Sequence, residues 1–537
     1  MTDLEATAGA EPGAKATAKE WLGLSVLTLV CLLLTMDIGV LYFSVPLMSA
    51  DLEPSGSQLL WIMDSYGFAL AGLLITMGWL GDRIGRRKVL VMGAILFGTA
   101  SALAAYSTSP EMLIASRALL GIGAATLTPT TLALIRSMFH DPNQRKTAIA
   151  VWSGALTGGA TLGPIIGGLL LEKFWWGSVF LINVPVMILL VVLAPIVLPE
   201  QRDPSPARFD LLGVTLSLAA ILPTIWGIKE LAVNGYSNAA VAAIVVGVLF
   251  GWAFIQRQRT REHPLIDLVL FRSRAFTGSV IVNLMVMLAF VGISLFTNQF
   301  MQLVLGKSPF VAALWSLAVA PAIGIAIGVT TAVSKKVRPG YIISGGLLLM
   351  TAGFIVLTQV RVTSHILFLL GGVACLAAGM LVAKTLIAEI IVTAAPAERA
   401  GSSAAVSETA SEFGGALGFA VLGSVGTAVY HREMLDVQIP GAPEAVVEAA
   451  RGTLGGATAV AANLPEGIGN ALLATGRLAF THGLNNAALA GAIAMAVVAV
   501  LTGYLLRNVP VSPAGAATSE GAEATASPQT GTVDASA

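Results

Sequence analysis

Fourteen stretches of mostly apolar residues follow one another along this chain, each long enough to carry a helix across the roughly 30 Å hydrocarbon core of a bilayer. They cover approximately residues 21–45, 58–80, 88–107, 112–136, 147–171, 177–198, 211–231, 238–256, 275–300, 309–333, 340–360, 364–392, 400–428 and 481–507. A spanning segment has no water to satisfy its amides, so runs of this length are read as helices. Charged residues make up only 11% of the 537, less than half the share of an ordinary soluble domain, and they gather in the gaps between runs. The expectation is an all-α integral membrane protein with fourteen transmembrane helices, arranged as two six-helix bundles with two extra helices between them.

The gaps set organisation and orientation. With the N-terminus in the cytoplasm, 21 of the 30 Lys and Arg fall in cytoplasmic segments, 7 in external ones, and Arg117 and Lys384 lie within spans. Both termini are then cytoplasmic. Two longer gaps, 199–210 and 257–274, flank spans seven and eight and divide the chain as six, two and six. The segments read as a cytoplasmic tail (1–20), an N-terminal bundle (21–198), a linker region with two spans (199–274), a C-terminal bundle (275–507) containing an external segment (431–480), and a disordered cytoplasmic tail (508–537). The last is rich in Ala, Ser, Thr and Gly and cannot build a core.

Several functions are excluded on chemistry. A net charge of zero gives no global field for nucleic acid. Cys31 and Cys375 sit in apolar runs, too few for a disulfide scaffold, and the five histidines are dispersed without zinc-binding spacing. Gly306-Lys307-Ser308 echoes the end of a phosphate-binding loop, but Met301 stands where its first glycine is required. No enzyme, metal or cofactor is expected.

The most specific motif is the tight loop after span two, Gly78-Trp79-Leu80-Gly81-Asp82-Arg83-Ile84-Gly85-Arg86-Arg87-Lys88. Its glycines permit a close turn, while Asp82 can cap a helix or pair with an arginine across the bundle interface. In span five, Gly159, Gly163 and Gly167 recur every fourth residue with Pro164 among them, suiting one helix face to close contact. In span four, Arg117 is followed by Gly121 and Gly123. Together these resemble the signature loop, the fourth-span motif and the antiporter motif of the major facilitator superfamily. The span count resembles that of its fourteen-span drug/proton antiporter family, the QacA-like multidrug efflux pumps. Leu120 departs from the fourth-span pattern, and the counterpart loop of the second half, with Lys335, Lys336 and Arg338, lacks the Asp.

Ionisable groups at bilayer depth are costly and therefore functional candidates. Asp37, Asp64 and Arg117 fall at similar depths. The resemblance makes Asp37 the proton site and Arg117 its tuning cation. Glu408 and Glu412, four apart on span thirteen, occupy one face with Phe419 close to the same stripe, and such a pair can load and release protons. Alternatively, one of these glutamates pairs with Lys384. Asp64 shares a face with Trp61 and Phe68, an aromatic-flanked anion suited to a bulky organic cation. Met287 and Phe290 on span nine, between Asn283 and Ser294, can line a soft cavity.

The resemblance implies a bacterial inner-membrane exporter, acting as a monomer, that exchanges lipophilic, mostly cationic compounds for protons by alternating access. A narrower exporter of an endogenous metabolite or antibiotic uses the same fold. A non-transporting membrane sensor is a more remote reading.

Overall fold

The computed structural model describes residues 15–202, 210–261, 268–334, 336–393, 400–435, 437 and 444–507. The tail expected at 508–537, most of the one at 1–20, and Lys335 lie outside these residues.

The first half holds α1 (Ala18–Leu52), α2 (Gly56–Ile84), α3 (Arg86–Ala105), α4 (Pro110–Met138), α5 (Pro142–Lys173) and α6 (Ser178–Val197). Then come α7 (Leu211–Asn234) and α8 (Asn238–Thr260). The second half holds α9 (Arg274–Val304), α10 (Pro309–Val333), α11 (Pro339–Leu357) and α12 (Ile366–Thr393). Its next helix, α13, runs from Ala400–Gly418 through a π turn at Phe419–Gly423 into Ser424–Leu435. Two short helices, α14 (Glu444–Gly452) and α15 (Leu454–Ala461), precede α16 (Glu466–Leu505).

Side-chain caps set helix starts that the apolar runs leave out. Thr17 and Ser55 close capping boxes with Glu20 and Gln58. Ser109 and Asp141 cap helices that open on Pro110 and Pro142, where a missing N–H costs nothing. Twelve helices among the described residues are long and apolar enough to cross a membrane, and thirteen if α2, bent by 51° between Gly56–Leu74 and Thr76–Ile84, counts as one span. The expected fourteen are not met in full, because the run at 211–231 holds only a shorter apolar helix, Leu212–Ile228.

Two seams repeat the same construction. The face of α5 carrying Gly159, Gly163 and Gly167 lies on α1. A Cβ at Gly159 would overlap the Leu32 carbonyl oxygen, one at Gly163 would stand 2.9 Å from the Met36 oxygen, and one at Gly167 would meet Val40. In the second half α13 lies on α9, with Gly414 and Gly418 against the Leu284 and Leu288 carbonyls. The halves meet along α2 with α13 and α5 with α10, while α7 and α8 pair with each other and α7 rests on α2 and α13.

The segment between spans thirteen and fourteen is largely helical among the described residues. The α13 helix continues to Leu435, and α16 begins at Glu466, well before the run at 481. The Tyr430 hydroxyl donates to the Ala450 carbonyl at 2.9 Å, and Arg451 donates to the carbonyls of Met434 (3.3 Å) and Leu435 (3.0 Å). Gly455 of α15 seats against Ser49 of α1.

Candidate functional site

Asp37 is held by the α1–α5 seam, since Met36, the residue that Gly163 receives, precedes it. Its partner comes from α4. The Arg117 guanidinium donates from Nη1 to Asp37 Oδ2 at 2.7 Å, and both side chains are only 1% exposed. The Asn183 amide of α6 donates to the other oxygen, Oδ1, at 3.1 Å, and to Ser101 Oγ of α3 at 3.3 Å. Arg117 also donates from Nε to the Ile62 carbonyl at 3.4 Å and lies 4.6 Å over the Tyr66 ring. Two helices, α4 and α6, thus bond the carboxylate that α1 carries, and α2 and α3 hold those two partners in turn. A buried charge pair is tolerated only when its remaining hydrogen-bonding capacity is met, and these contacts supply it.

Asp64 is fully buried on α2, between Ile62 and Tyr66 in sequence but on the other side of the helix. It shares its face with Trp61 and Phe68, whose rings stand 6.3 Å apart at 62°. Phe68 packs with Ile225 of α7 and Ala416 and Ala420 of α13, with Trp61, Ile221, Phe413 and Leu417 around them. One helix therefore presents Ile62 and Tyr66 to the Asp37–Arg117 pair and Trp61, Asp64 and Phe68 to the second half and the linker span.

On α13, Glu408 is exposed and Glu412 half-buried, within electrostatic reach of each other and with Lys384 within reach of Glu412. Phe419 is buried in the π turn and meets Tyr42 of α1 at 5.9 Å between ring centroids. Such turns widen a helix locally. Met287 and Phe290 are half-buried on α9. Asn283 behaves differently from its neighbours, because its amide donates to the Ser407 carbonyl (2.9 Å) and Ser411 Oγ (2.8 Å) and ties α9 to α13.

The signature loop works within one half. Gly85 turns the chain with φ +115°. Asp82 pairs with Arg86 four residues on, at 2.9 Å, and neither caps α3 nor reaches across the bundle interface in that contact. Arg86 donates from Nη1 to Gln201 Oε1 (3.1 Å) and from its backbone N–H to the Gln201 carbonyl (2.9 Å), while Arg87 donates to the Leu198 carbonyl (3.0 Å). Arg83 stacks on Trp79 at 5.3 Å, and Gly78 faces Pro129 of α4. The loop thereby clasps the end of α6.

Sequence reading missed Asn183, Ser101 and Tyr66. Asn183 stands as a lone amide in an otherwise apolar run, which is the signal that marks it. Among the described residues, no group of three or more His, Cys, Asp or Glu could hold a metal ion.

The model of the Major Facilitator Superfamily matches residues 27–419. The chain belongs to that superfamily. It is 40% identical over 490 residues to the multidrug efflux pump LfrA of Mycolicibacterium smegmatis, covering 91% of this chain and 97% of that one. It is 35% identical over 468 residues to the methyl viologen resistance protein SmvA of Salmonella typhimurium (86% and 93%), and 32% identical over 423 residues to a puromycin resistance protein of Streptomyces alboniger (76% and 82%). In fold it resembles an inward-facing bacterial homologue of the human lysosomal transporter Spinster, with TM-score 0.65 and 17% identity over 93% of this chain and all of that one. The protein is a multi-pass membrane transporter of the drug-efflux type, not an enzyme.

Proposed function

We propose that this protein exports lipophilic cations in exchange for protons, by alternating access, from a bacterial cytoplasmic membrane with both termini inside. The observation that carries this reading is the buried Asp37–Arg117 pair and its link through α2 to Asp64. Protonating Asp37 removes the charge that Arg117 answers. Arg117 is then free to shift against the Ile62 carbonyl and the Tyr66 ring, and so to move the helix that bears the substrate stripe. Glu408 and Glu412 offer further proton sites on the facing helix, while Trp61, Phe68, Met287, Phe290 and Phe419 offer adaptable apolar surface. Each proton moving inward along a 100 mV potential supplies about 2.3 kcal/mol, so exchange of more than one proton can drive a monovalent cation outward.

Support comes from the relatives named for multidrug efflux and for methyl viologen resistance. The puromycin resistance protein and a tetracenomycin C export protein, 29% identical, favour the second reading of a narrow antibiotic exporter. Purified protein in sealed liposomes under an imposed proton gradient tests both. Gradient-driven movement of a fluorescent lipophilic cation is expected, abolished by a protonophore and by Asp37→Asn, with Asp64→Asn impairing cations more than neutral compounds. Transport indifferent to the gradient overturns proton coupling, and no transport of any of a broad cation panel favours the narrow exporter.

A further inference from the structure

A cavity of about 300 Å³ lies where α2, α7, α9 and α13 meet, walled on one side by the linker span. Its lining is almost wholly apolar and includes Thr76 of α2, Ser217 and Ile221 of α7, Leu284 of α9, and Thr409 and Phe413 of α13. Three observations bear on what it holds. It continues the Asp64 stripe, because Ile221 and Phe413 belong both to its wall and to the cluster around Phe68, one turn along α2 from Asp64. It sits at the bend of α2, where Leu218 of α7 presses so closely on Gly72 that an added Cβ would lie 2.5 Å from its Cδ2. The Thr409 hydroxyl faces this apolar space buried and without a hydrogen-bond partner.

The surroundings give the direction of approach. Leu212, Leu222 and Trp226 of α7 and Val248, Leu249 and Trp252 of α8 are exposed apolar side chains, so the α7–α8 hairpin turns a lipid-compatible face outward and its other side to the cavity. In the orientation proposed above, Thr76 and Ser217 lie roughly 9 to 12 Å from the cytoplasmic ends of their helices, the depth of inner-leaflet acyl chains.

From this arrangement we infer that the cavity is a binding site for the alkyl or aromatic tail of a lipophilic cation arriving from the inner leaflet, with its charged head directed toward Asp64. The linker span α7 is then a wall of the substrate route as well as a spacer between the halves. The volume is at the lower limit of small-molecule sites and suits a single chain or fused ring pair. This inference rests on the export of lipophilic cations proposed above.

The test uses full-length protein in lipid nanodiscs, carrying Ser217→Cys with Cys31→Ala and Cys375→Ala, and two alkyltrimethylammonium probes with short and long chains. The long-chain cation is expected to slow N-ethylmaleimide labelling of the introduced thiol by about tenfold, and the short one much less, since each buried methylene adds roughly fourfold in affinity. Filling the cavity with Ala220→Trp is expected to lower export of the long-chain cation relative to the short one by a similar factor. Equal protection by both probes, no protection by either, or protection that appears on lipid reconstitution alone would overturn the assignment, the last identifying a lipid chain as occupant. Protection by the long chain in a protein that exports neither probe would keep the site and discard the export reading. Export of both without protection would do the reverse.

Discussion

Asn183 donates to one oxygen of Asp37 while Arg117 takes the other, so the carboxylate is fixed from two sides by residues 66 positions apart in sequence. Only Arg117 carries charge. Asn183 also bonds Ser101, which fixes its amide orientation and makes it a positioning residue for the proton site proposed here. Asn183→Ala is expected to lower gradient-driven transport about tenfold, the low end of the value of a hydrogen bond to a charged group. A merely structural role would reduce thermal stability and gradient-independent exchange of substrate alike. Exchange measured without a proton gradient is therefore the deciding comparison, and it should stay close to wild type.

The glycine seam offers a prediction in which neighbouring residues take opposite signs. Gly159 meets the Leu32 carbonyl, whereas a Cβ on Gly158 meets nothing within 4 Å. Gly158→Ala should raise the melting temperature slightly, by the roughly 0.5 to 1 kcal/mol that alanine gains over glycine in a helix. Gly159→Ala should lower stability by about 1 to 3 kcal/mol, because α1 must move away from α5. Since α1 carries Asp37, the second variant should also lose transport beyond what its stability explains. Equal melting temperatures for the two would remove the seam's role in placing Asp37.

How far the sequence alone reaches depends on the kind of signal each residue leaves. Asp37 and Arg117 stand out because charge is rare at bilayer depth, and the α5 glycines because they repeat every fourth residue. Gly414 and Gly418 make the matching seam in the second half, yet they lie beside Gly415 among small residues, so their spacing does not show. Asp82 illustrates a different limit: its type and loop were legible, but its choice of Arg86 over a partner across the interface depends on backbone geometry around Gly85. The extent of α16 was hidden because its first turns are broken by three glycines, Glu466 and Asn470 and are followed by Arg477, whose Nε donates to the Leu303 carbonyl at 2.9 Å. Hydropathy does not register a helix that leaves the hydrocarbon and keeps its pitch.

Asp210 pins the linker hairpin. It caps α7 through the Gly213 N–H at 2.9 Å and pairs with Arg257 near the end of α8 at 2.6 Å, with Arg261 at 3.7 Å. Burial alone would raise its carboxyl, but the bonds from Arg257 and Gly213 and the two arginine charges hold it below the ordinary carboxylate value. A depressed folded value means the stabilisation is complete above the unfolded carboxyl's pKa of about 3.9 and is lost as pH falls through the lower folded value. Asp210→Asn keeps a competent cap and removes only the charge. It should cost about 1 kcal/mol at neutral pH, modest because Arg257 is partly exposed, and shrink in high salt. The difference in melting temperature from wild type should vanish below the folded pKa, and the lack of any difference at neutral pH would show that Asp210 acts through its cap alone.

At the face where α1 ends, the two halves touch through parts that are far apart in sequence. Gly455 of α15 seats against Ser49 of α1, and Ser308 at the start of α10 donates to Glu172 at the end of α5 at 2.6 Å. The α15 helix is tied to the second half through α16, while Arg451 and Tyr430 bind its neighbour α14 to α13. If transport requires this face to open, α15 must leave α1 in every cycle. Ser49→Cys with Gly455→Cys places two thiols close enough to bridge after a small shift. Oxidation is expected to lower transport by about tenfold or more, as a block of one step in alternating access would, with recovery on reduction and no effect in either single variant. A bridged protein that transports at the wild-type rate would mean that α15 rides with α1, and that the halves separate along another line, between α15 and the rest of the second half.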